Sequence, residues 1–275
     1  MNRNILIIIL TALVLSSSGQ SLSGITEEES ALYAQTKQVN QFFRRFNNEE
    51  DRYGKRYYPG DKEYRDPEFR NVYLNMLFDK ESPFIQQSLK EEFIATVNAK
   101  DDPFFLDFHG KDWFAELATT FKYNKMTVNP ILFLQLEQEN QGYKWVITNV
   151  YFDQFLKEFN KGEKDRIEKS FLHPMSHELD FMNLYKAFRD VKYAEYYANE
   201  GYKPDYKTLF FWEIKQGNLT FEQVGDLKFH FFQVDGWYFE VSFFNRPGNN
   251  SGWLISKLYK ITPEEKEALI KFYLP

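Results

Sequence analysis

The chain has 275 residues with 34 Lys and Arg against 40 Asp and Glu, a net charge of −6, no cysteine, and 29 Phe, 18 Tyr and 5 Trp. An acidic balance of this size disfavours nucleic acid and anionic membrane surfaces as partners, and without cysteine neither a disulfide nor a thioester-linked lipid anchor forms. The fold must rest on packing alone, for which aromatic residues at 19% of the chain supply bulky inner faces for wide antiparallel sheets.

Residues 1–19, MNRNILIIILTALVLSSSG, read as a cleavable secretory signal. Arg3 heads an apolar run from Ile5 to Leu15, shorter than the about 20 residues of a membrane span, and small residues follow it directly. A retained anchor is the lesser alternative. A secreted, cysteine-free chain suits a bacterial envelope, periplasmic or surface, with no integral membrane segment once the leader is removed.

Glu28 to Asn48 carries Leu32, Tyr33, Val39, Phe42, Phe43 and Phe46 at helical spacing, predicting an amphipathic helix. Asp66 to Phe78 and Pro83 to Asn98 predict two more helices, the first capped by Asp66 with Pro67 at its opening position. From Trp113 the period changes to two, and Trp113 to Tyr123, Met126 to Gln135 and Tyr143 to Phe152 read as strands. The second half gives helices over Phe155 to Ser170, Ser176 to Asp190 and Tyr193 to Glu200. Its strands are Thr208 to Lys215, Leu219 to Val224, Leu227 to Val234, Trp237 to Phe244 and Trp253 to Ile261. A last helix, Pro263 to Phe272, is capped by Thr262.

The two halves repeat. Gln41-Phe42-Phe43-Arg44-Arg45-Phe46-Asn47 recurs as Gln154-Phe155-Leu156-Lys157-Glu158-Phe159-Asn160, and Trp145-Val146-Ile147 recurs as Trp253-Leu254-Ile255. Between them Asp66-Pro67-Glu68-Phe69 aligns with Ser176-His177-Glu178-Leu179. A unit of about 110 residues, an ordinary domain size, is thus copied in tandem. The expected architecture is two α+β cones, 28–152 and 153–275, each with its own preceding helices packed on a curved antiparallel sheet.

On these repeated helix and strand motifs the chain resembles the nuclear transport factor 2-like superfamily, in particular its secreted two-domain bacterial members. The resemblance implies three helices laid into the concave side of a curved antiparallel sheet. It implies no single function, because that cone hosts isomerases, dehydratases, cyclases and proteins that only bind. Catalytic residues of its isomerases find no residue-by-residue match in this chain.

Among candidate site residues, His230 and Glu240 fall on the polar alternation of adjacent predicted strands. They form an acid and base pair if that face is concave, or an exposed cross-strand pair if it faces water. Trp212 and Tyr238 are the candidate binding aromatics, since glycan recognition requires such rings to lie flat and exposed. His109 lies beside Asp107 and Asp112, where turn chemistry explains the cluster as well as catalysis does. The run from Asp51 to Phe69 mixes rings with basic residues and reads as a solvated loop over the sheet mouth. His173 and His177 resemble a metal pair, but Pro174 intervenes, no third ligand is evident, and Ser176 reads as a helix cap, so neither metal nor cofactor is expected.

The function these features imply is an envelope module that binds a small apolar or glycan-like molecule, or another envelope protein, without catalysis of its own. The alternatives are an isomerase- or hydrolase-type enzyme working through His230 and Glu240, and a glycan-binding protein.

Overall fold

A computed structural model of the chain describes residues 39–51, 53–159, 185–189, 191–199, 201–247 and 250–274. Residues 39–46 form α1, whose Val39, Phe42, Phe43 and Phe46 recur at helical spacing and are all buried. Next comes α2, Pro67–Met76, opened by Asp66, whose carboxylate accepts from the backbone N–H groups of Glu68 and Phe69. Then follows α3, Gln87–Val97. Strands β1 (Trp113–Tyr123), β2 (Met126–Val128), β3 (Ile131–Glu139) and β4 (Gly142–Tyr151) complete the first half.

The second half repeats the order with α4 (Asp153–Glu158), α5 (Tyr185–Arg189), a 3-10 turn at Val191–Tyr197 and α6 (Tyr206–Lys215). Strands β5 (Leu219–Phe231), β6 (Trp237–Phe244) and β7 (Gly252–Lys260) follow, and α7, Pro263–Tyr273, closes the chain. Among the described residues no helix is long and apolar enough to cross a membrane.

Several sequence expectations are corrected. Thr208 to Lys215 is helix rather than strand, because Asp205 caps it through the N–H groups of Lys207 and Thr208 and the Thr208 hydroxyl. The strand expected over Met126 to Gln135 breaks at Asn129-Pro130. Asn124 and Lys125 take positive φ and fold β2 back on the end of β1, as a tight hairpin requires. The two strands expected between Leu219 and Val234 are one, with a register shift at its middle. Gly225 lies there, and a Cβ on it would stand 3.3 Å from the Ala118 carbonyl oxygen. Most of the helices expected over 155–170 and 176–190, and residues 28–38 of the first, lie outside the described residues.

The seven strands form one open antiparallel α+β sheet in the order β4-β3-β1-β5-β6-β7, with β2 on β1. Each half thus contributes a meander running outward from a central β1–β5 pair, which runs from Trp113 opposite Phe231 to Tyr123 opposite Leu219 with two register shifts on the way. Trp145 lies on the outermost strand of one half and Trp253 on that of the other.

Among the described residues the helices of each half do not keep to their own strands. Phe42 of α1 packs on Phe231 at 5.7 Å, Phe46 stacks on Phe239 at 6.2 Å, and Phe93 of α3 meets Trp237 at 5.2 Å. Conversely, Phe210 of α6 meets Phe121 of β1 at 5.4 Å, and Lys207 donates to the Thr148 carbonyl on β4. Phe43 touches both Trp113 and Phe231, and α6 also lies against β5 of its own half. Behind α2, Leu77 and Asp79 hydrogen-bond to Ile255 on the outer edge of β7, and Arg246 and Asn250 hold that junction through Asp79 and the Phe78 carbonyl. These helices share one face of the sheet and one large core. The C-terminal α7 lies on the other face, over Phe114, Phe133, Phe232 and Tyr238.

Candidate functional site

The polar alternation of β5 and β6 puts His230 and Glu240 on the face covered by α7, directly opposite one another in register. They do not bond to each other. The His230 ring lies between Phe114 at 4.7 Å and Tyr273 of α7 at 5.2 Å, is 1% exposed, and bonds to the Tyr238 hydroxyl at 2.8 Å and Glu116 Oε2 at 3.0 Å. Burial pushes the Tyr238 phenol far above its ordinary value, so it stays protonated at neutral pH. Glu240 instead accepts from Lys257 at 3.0 Å and from the Ser256 hydroxyl.

Two opposing effects set the Glu116 carboxyl. Burial raises its pKa, but the His230 hydrogen bond and the charges of His230, Lys228 and Lys257 outweigh that and hold it below the usual range. Because the folded value is depressed, Glu116 contributes stability that is present above the unfolded value, about 4.3, and is lost as pH falls through the folded value. Glu116→Gln is therefore expected to cost about 1–2 kcal/mol at neutral pH and to flatten the acid limb of a plot of urea midpoint against pH. An acid limb identical to that of the wild type would remove Glu116 from this role. His230, Glu240 and Tyr238 thus form a satisfied polar layer beneath α7, closed to solvent. Glu116, which sequence reasoning passed over, joins them because it shares the parity of Phe114 on β1.

The other candidates are dispersed. Asp107 accepts from the backbone N–H of His109, while the His109 ring stacks on Tyr143 at 4.2 Å. Gln233 ties the turn down through the Asp107 and Lys111 carbonyls, and Asp112 pairs with Lys266 at 2.7 Å. This is turn chemistry, with no carboxylate on the imidazole. Across the run from Asp51 to Phe69, Asp51 caps a turn through the N–H groups of Tyr53 and Lys55, and Arg56 lies over the exposed Tyr58. Trp212 stands on the outer side of α6, 57% exposed, far in character from the buried Tyr238. His173 and His177 lie outside the described residues.

A cleft of about 810 Å³ opens where β4, α4, the segment before α6 and the end of α7 converge. That volume is within the range that holds a drug-sized ligand. Its walls are rings and aliphatic groups, among them Phe133, Phe152, Leu156, Phe159, Tyr206 and Phe272. Its polar groups are largely engaged within the protein. The Thr148 hydroxyl donates to the Phe133 carbonyl, and Asn149 donates to the Tyr273 carbonyl while accepting from Val150 N–H. Asp205 is committed to its helix cap, and hydrogen bonds from Thr208 hold its carboxyl below the ordinary range. The charged rim balances Lys203 and Lys207 against Glu195 and Asp205. Such a cleft offers aromatic contact with a rim of balanced charge. Sequence reasoning did not find it, though Tyr202-Lys203-Pro204-Asp205-Tyr206, rings flanking a helix cap, was a legible trace. Comparison of the chain with protein-family models, curated proteins and solved structures finds no match in any of the three.

Proposed function

We propose that the protein is a non-catalytic binding module of the cell envelope, of nuclear transport factor 2-like descent, whose ligand is a small neutral apolar molecule held in the cleft beside β4. The observation that carries this reading is the ring-lined cleft in which Thr148, Asn149 and Asp205 are already bonded internally. An apolar wall rewards a ligand for the area it removes from water, about 25 cal/mol per Å², and a ligand of either charge would meet rim groups of its own sign, Glu195 and Asp205 or Lys203 and Lys207. The leader-like residues 1–19 support export. The same order of helices and strands in both halves supports descent by tandem duplication. The burial of His230 and Glu240 beneath α7 speaks against the enzyme alternative, and the balanced rim speaks against a charged ligand.

The test is titration with a neutral naphthylamine dye and its sulfonated analogue, followed by fluorescence. The neutral dye is expected to bind at least about tenfold more tightly. Leu156→Trp, which crowds the cleft wall, is expected to abolish the difference, while Trp212→Ala leaves it unchanged. Equal affinity for the two dyes, or loss of binding with Trp212→Ala, would place the ligand elsewhere.

A further inference from the structure

Strand β5 is thirteen residues long and is paired with β1 along its length. On its other side β6 meets only Lys228 to Phe231, while β6 itself runs on through Phe243 and Phe244 beside β7 alone. The two strands part at Leu227. Residues 219–226 therefore present a sheet edge with no strand partner among the described residues, and Thr220, Phe221, Glu222, Gln223, Gly225 and Asp226 are exposed along it.

Several other strand edges have partners at named points. The outer edge of β7 is bonded by Leu77 and Asp79, the end of β1 is covered by β2, and β4 gives its Thr148 carbonyl to Lys207. Free edges are ordinarily blunted by lysine, proline, bulges or closure, and of these the 219–226 edge carries only register shifts against β1. This one has no Lys, Arg or Pro between Leu219 and Leu227, and its Phe221 ring is 51% exposed. A second observation falls where the strands diverge. The Trp253 indole packs on Phe229 of β5 at 4.9 Å and on Phe243 of β6 at 5.4 Å, and its buried N–H has no acceptor. Buried donors are rarely left unbonded, and each one that is costs about 1–3 kcal/mol.

We propose that this edge accepts an extended segment of a partner protein as an added β-strand, and that the segment alternates basic with apolar residues. Main-chain hydrogen bonds supply affinity in such strand addition, and side chains supply selection. The selection here follows from charge. The edge carries Glu222 and Asp226 without a base of its own, and only Glu222 is neutralised, by Lys122 of β1 at 2.7 Å. A second copy of the chain would set these carboxylates against each other, and like charges facing across a strand pair destabilise it. A basic strand brings the opposite sign, and its apolar residues meet Phe221. The inference is independent of the cleft.

The experiment uses the whole chain without residues 1–19 and two labelled eight-residue peptides, one alternating lysine with valine and one alternating glutamate with valine. Fluorescence anisotropy gives affinity, and hydrogen exchange locates protection. The lysine peptide is expected to bind at least about tenfold more tightly than the glutamate peptide, to slow exchange in residues 219–226, and to lose binding when alternate backbone amides are N-methylated. The double variant Glu222→Lys, Asp226→Lys sets a second lysine beside Lys122 in place of its ion pair with Glu222 and is expected to melt cooperatively at a slightly lower temperature while reversing the preference. Failure of the lysine peptide to bind, binding that survives N-methylation, protection away from β5, or a wild-type dimer that protects residues 219–226 would each overturn the proposal.

Discussion

Arg70→Met is expected to lower stability by about 3–5 kcal/mol, a large share of the 5–15 kcal/mol that holds a typical domain together. Arg70 is wholly buried on α2 and donates to the carbonyls of Phe46 at the end of α1, Val97 at the end of α3, and Phe104. Those first two carbonyls are the unsatisfied groups that every helix C-terminus carries, and a cation there also meets the favourable end of the helix dipole. The guanidinium lies 4.4 Å over the Phe105 ring as well. Burial, with Arg65 nearby, lowers its pKa to about 10, which still leaves it charged at neutral pH. Methionine fills similar space but strands three buried carbonyls. Arg70→Lys keeps the charge yet cannot span all three or stack flat, so it is expected to lose nearly as much. Urea unfolding with an unchanged midpoint for either variant would remove Arg70 as the tie between these helices.

The second large effect concerns the two halves. Residues 39–152 and 153–275, produced separately, are each expected to lack cooperative unfolding and native near-ultraviolet dichroism, and to regain both when mixed. Separation strips α1–α3 of the strands they cover. Phe42, Phe46 and Phe93 would lose Phe231, Phe239 and Trp237, and fully exposing an aromatic side chain costs about 1.5–3 kcal/mol each. The central β1–β5 ladder would open at the same time. A first half that melts cooperatively alone, with the dichroism of the intact chain, would show that it builds a sufficient core by itself.

What the sequence made legible and what it hid follow the distance over which each signal acts. Local signals read well. Asp66-Pro67 opens α2, Thr262 and Glu265 form a capping box on α7, and the alternation from Trp113 to Tyr123 is a strand to the residue. His230 and Glu240 are indeed cross-strand neighbours. Thr208 to Lys215 misled because Thr208, Phe210, Phe211, Trp212 and Ile214 are strand-favouring types, and the cap at Asp205 outweighed them. Gly225-Asp226 falls in the gap left between two expected strands, because glycine marks a close approach such as that to Ala118 as readily as a break. Arg70 was written at helical spacing with Leu74 and Leu77, a charge on an apolar stripe, and that pattern announces a buried cation only when the acceptors are known. Which helix covers which strands is set by the pairing of β1 with β5, and no local pattern encodes it.

The crossing of helices over strands also governs the order in which the molecule can assemble. Phe46 meets its stacking partner only after Phe239 has been made, and the outer edge of β7 completes a junction begun at Leu77. Contacts this remote along the chain slow folding, because the entropy of closing long loops must be spent before they form. Until then a growing chain displays a row of phenylalanines with nothing to rest on, which invites aggregation, so a holding chaperone is expected to raise the yield of refolding more than a change of temperature does.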